Sequence, residues 1–442
     1  MNRRHFLKGS TSSFLGLSIR SLLTGLPPAF LLTGQVRAQD SGRKFAIIAQ
    51  SGAGESVNGG GPGSFDSPDF IHAGAGSTDL TRVVDGREFT AADLSETTTF
   101  IGGPRPVRIA RVFEALGPMQ DNMAFFHHRT GFGIHPQFQR AQKIDGRLRG
   151  DTGRGQEHLA SAIAQENAVA LGTLMDQPVV LSGNATFRDA PLGTYSPTAL
   201  RELVMSAVGS EVPADMFGAT RNFIVDEVYR NTRESGDPNQ RRFLDEFVIS
   251  QNQATDVAER LVSEVDVIDD NGLANQMKMA AIIVKLRLAP AVVVGYRFTG
   301  DNHVSNGMTV EAEDTLNMMA DYREFYDFAV GNGVWDELLY ATLSVFGRSM
   351  NETGNGRGHN GSLSTGLLFG GHLSRQVVGG IDPTQPRGVS LPINANTGGT
   401  ENANVTEQDS FACYAKSVLQ AAGVPQDRLD VRVPDVPAVT LG

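Results

Sequence analysis

The sequence predicts an α/β fold built on a mainly parallel central sheet with helices on both faces. Two observations carry this. Short, nearly unbroken apolar runs of β type recur at 45–49, 123–126, 178–181, 291–296, 338–343 and 366–369. Between them lie stretches whose apolar residues recur at helical spacing. Strands that are apolar on both faces and separated by helices describe a sheet covered on both sides.

The first run, 45–49, is followed by a glycine-dominated segment over 51–67 that has loop composition. Helical spacing is clearest at 107–116, 158–170, 199–208, 243–265, 273–287 and 316–330. From 197 to 290 the pattern is almost wholly helical, which predicts a helical excursion from the α/β core. A second long loop is expected over 382–409, rich in Pro, Asn, Thr and Gly. Loops of that length in a compact domain are commonly functional. An apolar helix is expected over 411–424, holding the single cysteine, Cys413, as a small core residue. Residues 430–442 read as an extended tail along the surface.

The N-terminus reads Asn2-Arg3-Arg4-His5-Phe6-Leu7-Lys8-Gly9. Behind it runs a weakly apolar stretch over 14–32, broken by Arg20, Pro27 and Pro28 and ending at Val36-Arg37-Ala38. A paired arginine, an apolar run and a small-residue cleavage site resemble an export signal read by the twin-arginine translocase. The expectation is a signal over 1–38, a mature domain over 39–442, and delivery to the periplasm or another extracytoplasmic space. An arginine and two prolines make the run a poor membrane span, so no stable anchor is expected.

Removing residues 1–38 takes away five basic residues and no acidic one, so the formal net charge moves from −11 to −16. Such acidity disfavours nucleic acid and anionic membranes as partners. One cysteine in an exported chain leaves stability to the size of the core.

In an open parallel sheet, ligands sit beyond the carboxyl ends of the strands. Three loops there carry the polar chemistry. His127-His128-Arg129-Thr130-Gly131 follows one strand, with His135-Pro136 shortly after. Thr299-Gly300-Asp301-Asn302-His303 follows another, and the spacing of Asp301 and His303 suits two ligands to one metal. The third is Ser344-Val345-Phe346-Gly347-Arg348 with Gly356-Arg357-Gly358-His359-Asn360. Imidazole and carboxylate together suit zinc or another divalent ion, or acid/base work. Phosphate-loop, HExxH, GxSxG and paired-cysteine motifs do not occur.

These residues, in this order, resemble a domain-of-unknown-function family of twin-arginine-exported bacterial proteins in the alkaline phosphatase and sulfatase superfamily. The carriers are His-His-x-Thr with a later His-Pro, the Asp301-Asn302-His303 segment in place of Trp-Asp-Thr-His, Ser344 to Arg348 in place of Ser-Glu-Phe-Gly-Arg, and Gly356 to Asn360 beside Gly-Arg-Asp-His. The resemblance implies a sulfatase-like fold with metal ligands at the carboxyl ends of the sheet, drawn here from Asp301, His303, His359, His127, His128 and His135.

Two departures reduce that centre. Val345 stands where the family pattern has a glutamate, and Gly358 where it has an aspartate. The loop after the first strand offers Glu55 and the distant Asp66 in place of an early aspartate, with Ser51 and Ser56 as hydroxyls. The remaining donors suit one divalent ion. The expectation is a protein that binds a small ligand or an extracytoplasmic partner. The competing expectation is a metal-dependent phosphate or sulfate ester hydrolase, and a third is a structural assembly component.

Overall fold

The computed structural model describes residues 42–55, 57, 60–72, 79–102, 106–141, 157–209, 262, 264–296, 307–353 and 356–442. The signal expected over 1–38 lies outside them. The chain divides into two compact units, one of Ala38–Thr194 with Gly272–Gly442 and one of Met1–Arg37 with Tyr195–Asn271.

The larger unit is a mixed α/β body with a seven-stranded, mostly parallel sheet. Its strands are β1 Phe45–Ser51, β2 Met123–His128, β3 Val179–Val180, β4 Ala291–Gly295, β5 Leu338–Ser344, β6 Ser364–Phe369 and β7 Gln376–Val378. Their order across the sheet is β7-β2-β6-β5-β1-β4-β3. Strand β1 pairs in parallel with β4 and β5, β4 with β3, and β2 with β7. Strand β6 runs antiparallel to both neighbours. A parallel return needs a long crossover, usually a helix. The chain between β5 and β6 instead forms a hairpin of Gly347–Thr353 against Gly356–Asn360, so it re-enters the sheet reversed.

Every residue of β1, β2, β5 and β6 is buried. That is why these strands read as continuous apolar runs rather than alternating ones. One face of the sheet presents Ala46, Ile48, Phe126, Val293, Ala341 and Leu368 to two helices. These are α1 Leu159–Leu171 and α5 Ser410–Ala421; the intervening α2 is Pro197–Gly209, α3 Leu273–Lys285 and α4 Gly307–Gly331. The opposite face stacks Tyr340 on Phe369 at 4.1 Å and packs both against Tyr322 of α4. Helix α1 stops at Gly172, whose φ of 64° is the left-handed conformation that glycine adopts without penalty.

Several expectations change. Residues 107–116 are not one helix: Val107–Ala110 is a strand paired with Thr97–Phe100, followed by 3-10 turns over Arg111–Asn122. β-Branched Val107 and Ile109 suit the strand, and Gly117-Pro118 breaks the helical pattern. The helical stretch read over 197–290 divides, because α3 belongs to the larger unit and packs on β4 and β1. The tail is not laid along the surface. It continues from the helix α6 Gln426–Arg432 and buries Val433, Val436, Val439 and Leu441 in the core beside α5. The loop of 382–409 contains the short pair Ile381–Asp382 with Val389–Ser390 and an Ile393–Val405 bridge.

In the smaller unit, α2 starts where Thr198 N and Oγ1 donate to Asn271 Oδ1 at 3.0 and 2.9 Å. Most of the helix expected over 243–265 lies outside the described residues. No described helix is long and apolar enough to cross a membrane.

Candidate functional site

The carboxyl ends of β1, β4, β5 and β2, with the start of antiparallel β6, meet at one rim of the sheet. Ser51 pairs with Ser344, and Thr365 pairs with His127, so a row of polar residues crosses that rim. All four are buried.

Within this row the ladder between β5 and β6 is interrupted. Its register covers only Tyr340 with Phe369 and Ala341 with Leu368. Beyond them Leu367 N donates to the Thr342 hydroxyl at 2.9 Å instead of to a backbone carbonyl. The Thr342 carbonyl accepts from the Tyr414 hydroxyl of α5 at 2.6 Å. Burial holds the Tyr414 phenol well above its ordinary pKa, so it stays a donor. Its ring occupies the space beside Gly366, where a Cβ would lie 2.5 Å from the ring. The absence of a side chain at 366 therefore lets a helix residue complete the hydrogen bonding of an opened strand pair.

Glu55, in the glycine-rich loop after β1, lies beside the interrupted ladder and is 1 % exposed. Its Oε1 accepts from Thr365 N at 2.9 Å and its Oε2 from Val57 N at 2.7 Å. Its own N–H donates to the Phe346 carbonyl at 3.1 Å. The loop can fold this closely because Gly54, at φ 89°, has no Cβ to meet the Phe346 ring. Fully buried Arg348 donates to the Ala53 carbonyl, and to the Arg357 carbonyl at 3.2 Å. Tyr296, just past β4, has its phenol pKa raised by burial and then by the charge of Glu55. Ser344 is 5 % exposed, and its buried hydroxyl has no hydrogen-bond partner among the described residues.

Of the histidines expected as metal ligands, His127, His128, His135 and His359 lie among the described residues. His127 and His128 are adjacent in a strand, so they point to opposite faces. His127 Nδ1 lies 3.0 Å from Thr365 Oγ1, and its ring is also hydrogen-bonded to the backbone of Pro62. Proline has no N–H, so the imidazole donates to its carbonyl, leaving Nδ1 to accept from the Thr365 hydroxyl. Burial pushes the His127 pKa down to about 4, which keeps the ring neutral. His128 stacks on Tyr414 at 4.8 Å on the other face.

His135 and His359 do come together, ring centroids 4.5 Å apart, with the His359 ring stacked on Phe346 at 4.1 Å. His135 Nδ1 is 2.7 Å from the Gly52 carbonyl and His359 Nδ1 is 2.8 Å from the Gly133 carbonyl. A carbonyl only accepts, so each Nδ1 carries the proton and a neutral ring has its lone pair on Nε2. Asp301, His303 and Ser56 lie outside the described residues. Among the described residues, no group of three His, Cys, Asp or Glu side chains is placed to hold a metal ion.

Val345, at the position where an acid was expected, is fully buried in an apolar cluster with Phe132, Ala141 and Phe346. Asp66 is not part of the rim; it is exposed and pairs with Arg108 at 2.8 Å. Thr342, Thr365 and Tyr414 escaped the sequence reading. Their signal was a hydroxyl inside an otherwise apolar strand or helix and a glycine in β6. Each also has an ordinary structural explanation. No family model matches the chain, and no curated protein matches it.

Proposed function

We propose that this is an exported extracytoplasmic protein with a sulfatase-like scaffold that binds a ligand at the carboxyl rim of its sheet, in place of a two-metal hydrolytic centre. The observation that carries this reading is Val345 in its apolar cluster. A site rebuilt for aliphatic and aromatic packing has no room for a charged carboxylate without a large desolvation cost. The division of His127 and His128 between two faces supports it, and so does the use of both Glu55 oxygens by backbone N–H groups.

A working metal-dependent hydrolase is the second reading, and the His135–His359 pair favours it. Two imidazoles with their Nδ1 protons held by carbonyls offer Nε2 donors to one divalent ion such as zinc. The discriminating assay supplies zinc, manganese and calcium in turn with aryl phosphate, phosphodiester and sulfate esters. Our reading predicts no turnover above buffer. Turnover that His359→Ala abolishes would establish the hydrolase instead.

A further inference from the structure

The ligand's chemistry can be taken further from the rim itself. We propose that the opening between β5 and β6 is a binding site for a small carboxylate, filled in this structure by the protein's own Glu55. The inference rests on the ligand-binding reading and names its ligand class.

Three observations bear on it. First, the opening is built, because the β5–β6 ladder stops after Ala341 and Leu368. Thr342 and Tyr414 then satisfy the backbone groups that the lost ladder would leave unpaired. Second, the group held beside it is a carboxylate. Glu55 accepts Thr365 N on one oxygen, and it reaches there from the glycine-rich loop after β1. Third, a donor stands unused. Continuing the register of Tyr340 with Phe369 places Ser344 opposite Thr365, and the Ser344 hydroxyl is buried with no hydrogen-bond partner among the described residues. A planar two-oxygen anion spanning the opening would take the Thr365 N–H and the Ser344 O–H together.

The Val57 N–H that holds Glu55's other oxygen belongs to the same loop as Glu55. Without the Glu55 carboxylate, the Thr365 N–H and the Ser344 hydroxyl are the sheet's donors for an incoming ligand. The tethered carboxylate competes at an effective concentration of roughly millimolar order. An external carboxylate thus binds the wild type weakly and binds a chain lacking Glu55 better. No covalent step is involved.

The test is thermal unfolding of the full mature chain, wild type and Glu55→Ala, titrated with sodium acetate against sodium chloride at matched ionic strength. Ligand that binds only the folded state raises Tm. The proposal expects a saturable rise with acetate in Glu55→Ala, a much smaller one in the wild type, and loss of the rise when Ser344→Ala is added. A folded Glu55→Ala protein whose Tm ignores acetate overturns the proposal. A rise with inorganic phosphate but not acetate also overturns it, while leaving the ligand-binding reading standing. Ester turnover would remove that reading itself. If Glu55→Ala does not fold, Glu55→Gln serves in its place, since its amide can satisfy only one of the two N–H donors. An acetate-indifferent Glu55→Gln overturns the proposal equally.

Discussion

His127 illustrates how much a single residue's surroundings decide. In the sequence it is one of six candidate metal ligands. In the sheet it is a neutral, buried ring that accepts from Thr365 and donates to Pro62. Its folded pKa, lowered to about 4, lies below the unfolded value of about 6.5. Between those values the unfolded chain binds the proton and the folded one does not. Stability therefore holds above about pH 6.5 and is lost as pH falls toward 4. His372, also lowered to about 4 by burial and by the charge of Lys44, acts in the same window. We predict that the unfolding free energy from urea titrations drops steeply from pH 6.5 to 4, by on the order of 3 kcal/mol for His127 alone. His127→Gln, which can still accept and donate, should flatten much of that slope. Residue identity was legible at this scale, but the partner of each ring was not, because partners come from strands far apart in sequence.

Elements were more legible than contacts. Six apolar runs predicted the positions of six of the seven strands, since burial on both faces leaves little else a strand can be. The reversal of β6 was hidden, because direction is set by the length and form of the connection rather than by the strand's own residues. The hairpin that causes the reversal is anchored from α4. There Glu311, 1 % exposed, takes Arg357 Nε on both oxygens at 2.9 and 3.0 Å, while the guanidinium also donates to the Ser349, Met350 and Ile71 carbonyls. Removing one partner leaves the other charge buried and uncompensated. Glu311→Ala should therefore cost about 3–5 kcal/mol in chemical denaturation. A smaller loss would mean that water reaches Arg357. The same hairpin was read from sequence as a ligand loop carrying His359, with no role given to its arginines Arg348 and Arg357. In the fold they are fully buried and donate to backbone carbonyls.

At the scale of the whole molecule, composition was informative about class, and about partners only in disfavouring nucleic acid and anionic membranes. A chain with one cysteine, itself buried with its thiol pKa pushed up to about 12, relies on its apolar core rather than on a disulfide. Such a chain suits a route that exports folded proteins. Replacing Arg3 and Arg4 by Lys should trap it in the cytoplasm, and fractionation showing the double variant still exported would contradict the reading of the signal. The rim was legible as a place, because open parallel sheets bind ligands there. Its chemistry was not, because Glu55, Thr342, Thr365 and Tyr414 acquire meaning only once four elements meet.

The central claim is that this rim binds a ligand and does not house a two-metal centre. It is tested most directly by elemental analysis of the protein purified from its native export route without chelators. The account predicts at most one tightly held divalent ion per chain. Two tightly held metals per chain, retained through dialysis, would contradict it.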